Sequence, residues 1–165
     1  YTGQTVQITN TDAEWRLILW DAVWYVSTNY DASSIITVAT LTGACVHALG
    51  FRYAGIMGTD KNLIQKLKSG GENSLEKYNE LPFDDYFIEK TKSKIADLDN
   101  WSGGVKAGPT MWAAFIANFL TKNELYTHID IAGVSINSFE PYWYNPKGAT
   151  GFWVMSISEL LKNYR

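Results

Sequence analysis

The chain has 165 residues, 46% of them hydrophobic and 19% charged, which supplies a core able to bury roughly 70% of the unfolded surface and excludes a disordered segment. Fourteen basic residues against seventeen acidic ones leave a net charge of −3, and with no basic run to neutralise a row of phosphates the composition argues against a nucleic-acid partner. Cys45 is the only cysteine and no apolar stretch reaches the ~18 residues that span a bilayer, so a soluble, cytoplasmic protein without an internal disulfide or membrane partner is expected, folded as a single domain over residues 1–165.

The first element is a strand, Thr5 to Thr9, in which Val6 and Ile8 alternate with polar residues. It breaks at Asn10-Thr11-Asp12, and a helix from Ala13 to Thr28 follows. Leu19, Ala22, Val23 and Val26 form one apolar stripe on that helix, and Leu17, Trp20 and Trp24 form a second. A helix apolar around so much of its girth lies between two layers or against another chain. Ser34 to Ala39 is a β-branched run of the type covered on both faces, and it leads into Thr40-Leu-Thr-Gly43. Arg52 to Gly58 is predicted as a strand, with Asp60 capping a helix that stops at Ser69-Gly-Gly71. Residues Glu72 to Ser93 are charged and predicted as solvated surface, with Pro82 at a helix start. Pro109 suits the first turn of a helix reaching about Lys122. The run His128 to Gly133 is a strand, Asn137 to Gly151 a long loop, and Ser156 to Tyr164 an amphipathic helix. Strands alternating with helices in this order predict an α/β layered fold around a mostly parallel sheet, with Ile35–Ala39 and Ile129–Ala132 as central strands.

The densest polar cluster is Asn10-Thr-Asp-Ala-Glu-Trp-Arg16, beyond the end of a strand, where open α/β sheets bind ligands. Its residues have two readings. Asp12 and Glu14 are either paired metal-binding carboxylates or a helix cap and a first-turn acid, with Arg16 a surface charge in the second case. His47 and His128 have no metal-ligand spacing, and no nucleophile elbow, Walker loop or Cys-x-x-Cys is present.

Six segments occur in the order seen in the leucyl aminopeptidase (cytosol aminopeptidase) family: Asn10-Thr-Asp-Ala-Glu14, Arg16-Leu, Ala39-Thr-Leu-Thr-Gly-Ala44, Ala96-Asp-Leu-x-Asn100, His128-x-Asp-Ile-Ala-Gly133 and Lys147-Gly-Ala-Thr-Gly-Phe152. The chain resembles the C-terminal portion of that family's catalytic domain over nearly its whole length. The resemblance implies two-metal hydrolysis of N-terminal residues from peptide substrates, with Asp12 binding one Zn²⁺ or Mn²⁺ and Glu14 bridging two. It also implies that Arg16 orients a bicarbonate or the developing oxyanion, that Thr40, Leu41 and Gly43 lie along the substrate, and that Ala132 and Ser135 sit near its N-terminal side chain. The family's remaining metal-binding lysine and aspartates and its catalytic lysine come from an upstream glycine-rich segment, whereas nine residues precede Asn10 here. Trp15, Trp20, Trp112 and Trp153 stand where the family carries glycine or alanine. The alternative reading is therefore an inactive, tryptophan-remodelled fragment that serves as a structural module and forms a homo-oligomer through a Trp-rich surface. In that reading Trp20, Trp24 and Trp112 are the expected members of a buried cluster or of an intermolecular contact.

Overall fold

The computed structural model describes residues 3–101, 104–141 and 145–162. Strand β1 (Val6–Gln7) leads through the Asn10–Glu14 turn into α1 (Trp15–Asn29), and β2 (Ser34–Ala39) is followed by α2 (Gly43–Leu49). The middle of the chain is β3 (Tyr53–Gly58), α3 (Lys61–Ser74), β4 (Lys77–Glu80), α4 (Asp85–Glu89) and β5 (Leu98–Asp99). Then come α5 (Gly108–Ala117), β6 (Leu125–Asp130), the short strands β7 (Ile136–Asn137) and β8 (Gly148–Ala149), and α6 (Val154–Lys162).

The main sheet has the order β2-β6-β3-β4. Two of its ladders, β2 with β6 and β3 with β4, are parallel, and β3 with β6 is antiparallel. The expectation of an α/β fold around a mostly parallel sheet holds. Strand β6 lies inside the sheet with Tyr126 to Asp130 all buried, but it ends at Asp130, so Ile131 and Ala132 begin the turn beyond it. Strand β2 is an edge strand and not a central one. Its β-branched run reflects cover on its two faces, which a strand needs whether or not both of its edges are paired. On one face Ile35, Met57 and Tyr126 share a core with Val23 of α1 and with Trp112 and Phe115 of α5. On the other, Ala54, Ile56 and Ile129 pack with Leu63, Ile64 and Leu67 of α3 and Leu160 of α6.

Several element boundaries depart from the sequence reading for local physical reasons. Helix α3 does not stop at Gly70-Gly71 but runs to Ser74, and Leu75 makes the turn at φ +62°. Those glycines serve close packing: a Cβ at Gly71 would fall 2.1 Å from the Glu76 carbonyl oxygen, and one at Gly70 would touch Ser156 of α6. Residues 72–93 are not all solvated surface, because they contain β4 and the buried side chains of Glu76, Tyr78 and Phe83. Pro82 precedes α4 without starting it; Asp84 caps that helix by accepting the Tyr86 N–H at 3.1 Å. Helix α5 ends at Ala117, five residues before Lys122, where Asn118 Nδ2 donates to the Ala114 carbonyl at 2.8 Å. Strand β1 is shortened to two residues and pairs in parallel with β5. The segment read as a loop from Asn137 contains the β7–β8 pair. Helix α6 begins two residues earlier than predicted, and Tyr164 lies outside the described residues.

The two apolar stripes of α1 face the same core. Val23 is buried, and Leu17, Leu19, Trp20, Trp24 and Val26 pack around it, whereas Ala22 is exposed. Trp20 stacks on Phe119 with ring centroids 4.5 Å apart and meets Phe115 edge-on. Trp112 is buried. Of the three rings expected in a buried cluster or an intermolecular contact, Trp112 belongs to the core, and Trp20 and Trp24 are half-buried and pack against it. Trp153 retains a backbone that glycine would adopt without strain, with φ +82°.

Candidate functional site

The loop after β1 is held from the other strand of its small sheet. Asn100, fully buried at the end of β5, accepts the N–H groups of Thr9 (2.8 Å) and Asn10 (3.2 Å) on Oδ1 and donates from Nδ2 to the Asn10 carbonyl at 2.7 Å. Asn10 Oδ1 in turn accepts the Asp12 N–H at 2.9 Å. With Ala13 buried between them, Asp12 and Glu14 are fixed at the backbone while both side chains are exposed. The capping alternative fails. Helix α1 starts at Trp15, Glu14 occupies the N-cap position without a side-chain cap bond, and Asp12 lies in the preceding turn.

A second group of predicted residues gathers at the ends of the parallel neighbours β2 and β6. Asp130 ties them together: Oδ1 accepts the N–H groups of Leu41 and Ala132, each at 3.1 Å, and Oδ2 accepts Thr42 Oγ1 at 2.8 Å. Thr42 also caps α2 by accepting the Cys45 N–H. Burial raises the Asp130 carboxyl above its ordinary range, against the lowering effect of these donors. Thr40 and Gly43 are exposed and Leu41 is buried, while Ser135 lies one turn beyond Ala132 with its N–H on the Ile131 carbonyl. Gly133 is required by contact, since a Cβ there would come within 2.1 Å of the Gly50 carbonyl oxygen.

Arg16 is not a surface charge. It is 1% exposed, and its Cζ lies 3.4 Å from the centroid of the Trp112 ring. Desolvation pushes its guanidinium down to about 9, with Asp99 acting in the opposite direction. Helix α5 packs against both α1 and α2, so one helix supports the two groups of predicted residues.

The donor chemistry of Asp12 and Glu14 suits a divalent cation, but the number of ligands falls short. Among the described residues no group of three or more His, Cys, Asp or Glu side chains could hold a metal ion, and two carboxylates do not complete a coordination sphere. Sequence reasoning did not single out Asn100, Asp130 or the Trp112–Arg16 contact. Asn100 and Asp130 stand inside quoted motifs, whereas Trp112 and Arg16 meet only through tertiary structure.

Residues 1–158 match the catalytic domain of the cytosol aminopeptidase family. The chain is 44% identical over 163 residues to a probable cytosol aminopeptidase of Protochlamydia amoebophila, covering 98% of this chain and 32% of that protein. It is likewise 44% identical over 161 residues to one from Geobacter sulfurreducens, with 98% and 32% covered. Among solved structures, the bottromycin maturation enzyme BotP in complex with Mn superposes with a TM-score of 0.88 at 33% identity, covering 97% of this chain and 35% of the other. The chain thus spans about a third of the length of the curated relatives it matches, and it belongs to the cytosol aminopeptidase family.

Proposed function

We propose that residues 1–165 form one domain that contributes to two-metal hydrolysis of N-terminal residues from peptides in the cytoplasm. The observation that carries this reading is the Asn100 clamp, which fixes the Asn10–Glu14 backbone and leaves two carboxylates exposed. Asp12 and Glu14 are this chain's share of the ligands for Zn²⁺ or Mn²⁺, and the Mn complex of BotP favours Mn. When bound, such a metal pair polarises the scissile carbonyl and supplies a nucleophilic hydroxide. Arg16 serves as the group that orients a bicarbonate or the developing oxyanion. Thr40, Leu41 and Gly43 run along the peptide, and Ala132 and Ser135 border its first side chain. Because Asp130 holds the Leu41 and Ala132 N–H groups on one oxygen, those two borders keep a fixed spacing. The further ligands belong to the two-thirds of the relatives' length that this chain does not span.

Mn²⁺ titration followed by the free-ion EPR signal tests the ligand assignment. The chain should take up Mn²⁺ weakly, and Glu14→Ala or Asp12→Ala should abolish that uptake; unchanged uptake in both variants would sink it. The chain alone should release no leucine from a chromogenic amide. Supplying the remaining portion of a relative in trans should restore turnover, and Glu14→Ala should then lower it by about 10²-fold or more, the range for loss of a group acting in the transition state.

A second reading, self-association, is favoured by the outer face of α1. Trp15, Ile18 and Tyr25 are 64%, 58% and 54% exposed there, at a spacing that aligns them along the helix. Light scattering at increasing concentration should show a rising mass that Trp15→Glu suppresses. A concentration-independent monomer would end this reading.

A further inference from the structure

Four of the eleven lysines in this acidic chain, Lys90, Lys92, Lys94 and Lys106, line one open cavity beside the β1–β5 pair. Its volume of about 760 Å³ falls in the range of small-molecule sites. Elsewhere Lys61 and Lys68 pair with Glu80, and Lys162 with Glu159. At the cavity only Lys92 has such a partner, Glu89 at 2.7 Å, and among the described residues Lys90, Lys94 and Lys106 form no ion pair. Asp99 is the one carboxylate in the described lining, and it is already engaged. Its Oδ1 accepts Thr9 Oγ1 and the Trp101 N–H, and its charge supports the protonated form of Arg16. A cleft lined by one sign of charge focuses the field and concentrates counter-ions.

The backbone that presents these lysines is fixed. Ser93 Oγ accepts the N–H groups of Ile95 and Ala96 at 3.1 and 3.2 Å and donates to Gln7 Oε1 at 2.6 Å, while Lys92 bridges to Leu98. On the other wall the chain turns left-handed at Gly104 (φ +99°) and at Ala107 (φ +66°), which flank Lys106. The residue type then selects the ligand. A guanidinium fork matches planar carboxylates, whereas an ammonium is a point charge that suits phosphate, and no arginine stands in the described lining. A single phosphate carries only about 1.5 to 2 negative charges at neutral pH. It cannot balance three unpaired ammonium groups spread around a cavity of this size, whereas a chain of phosphates can.

We propose that this cavity binds a polyphosphate chain, free or as part of a nucleotide, through Lys90, Lys92, Lys94 and Lys106. Tyr86, 57% exposed in the same lining, holds its ring centroid 5.3 Å from the Lys90 ammonium and offers an aromatic face on which a nucleotide base would stack. The site uses none of the residues assigned to peptide hydrolysis and stands whether or not that reading does.

Calorimetric titration of the 165-residue chain with phosphate, tripolyphosphate, ATP and triglutamate, at low salt and without divalent metal, tests the site. Tripolyphosphate should bind about ten-fold or more tightly than phosphate, and added salt should weaken it. The double variant Lys94→Gln, Lys106→Gln should lose about ten-fold or more in tripolyphosphate affinity, a few-fold for each exposed charge. Lys61→Gln with Lys162→Gln makes the same change in net charge away from the cavity and should leave the affinity within about two-fold. All four lysines are exposed, so both proteins should fold. In the wild type, amide resonances of Ser93 to Ala96 and of Gly104 to Lys106 should shift during the titration, which reads the site without any substitution. ATP binding more tightly than tripolyphosphate, with the excess lost in Tyr86→Ala, would identify a nucleotide; equal affinities would identify the phosphate chain as the whole ligand. The proposal falls if the two double variants lose affinity equally, if the shifts appear only in other segments, or if phosphate or triglutamate binds as tightly as tripolyphosphate.

Discussion

Lowering the pH from 7 to 4 is expected to cost the fold about 3 kcal/mol through one side chain, His128. His128 is fully buried on β6, where Nδ1 lies 2.8 Å from Thr37 Oγ1 and Nε2 has no partner. Burial depresses its pKa from 6.5 to about 3. The native state therefore keeps the ring neutral while the unfolded chain takes up a proton below pH 6.5. Stability conferred by the neutral ring is complete above that value and is lost progressively as the pH falls toward 3, at about 1.4 kcal/mol per unit over most of the window. Asp130, on the same face of the same strand, acts in the opposite sense, because burial raises its pKa and lets the native state accept the proton more readily. The difference between two proteins isolates the histidine. His128→Asn retains a polar atom toward Thr37 and should remove most of the acid slope in urea unfolding measured from pH 7 to 4. Identical slopes in the two proteins would mean that the ring is hydrated or charged in the native state.

Trp20→Ala should lower stability by about 3 kcal/mol and Trp112→Ala by about 4, within the range for emptying an aromatic site in a core. The mass of the protein should not change. Trp20 lies flat on Phe119 and edge-on to Phe115, and Phe115 also borders the Arg16 guanidinium beneath Trp112. The two substitutions share a neighbour, so their effects should fall short of additivity in a double-mutant cycle. Denaturant unfolding combined with light scattering at several concentrations reads both quantities. A stable Trp20→Ala protein whose mass falls would place the ring in an intermolecular contact and not in the core of one chain.

Local sequence carried much of this protein. The β-branched run Ser34–Ala39 is set by side chains that suit an extended, two-sided burial, the strand read at His128–Gly133 exists but is shifted to Leu125–Asp130, and Asp60 caps α3 as its residue type predicts, with Oδ1 2.9 Å from the Leu63 nitrogen. The Asn10–Glu14 motif marked the candidate site because its carboxylates and their spacing are local properties. Helix α3 was misjudged at Gly70-Gly71 because glycine weakens a helix and also permits close contact, and only the neighbours Glu76, Tyr78 and Ser156 decide between these roles. Strand β4 is hidden in the sequence because Lys77, Asn79 and Glu80 look like surface until β3 lies beside them, which leaves Lys77 and Glu80 half-buried around the buried Tyr78. Tertiary structure likewise decided the fates of Asp12, Glu14 and Arg16. Asn100, some ninety residues away, takes over the organisation of the loop and leaves the carboxylates uncapped, while Arg16, a surface charge in one of its two sequence readings, is buried against Trp112. Periodicity and residue type act over a few residues, but the partner that satisfies a buried polar or charged group is chosen by whichever distant segment the fold brings within 3 or 4 Å.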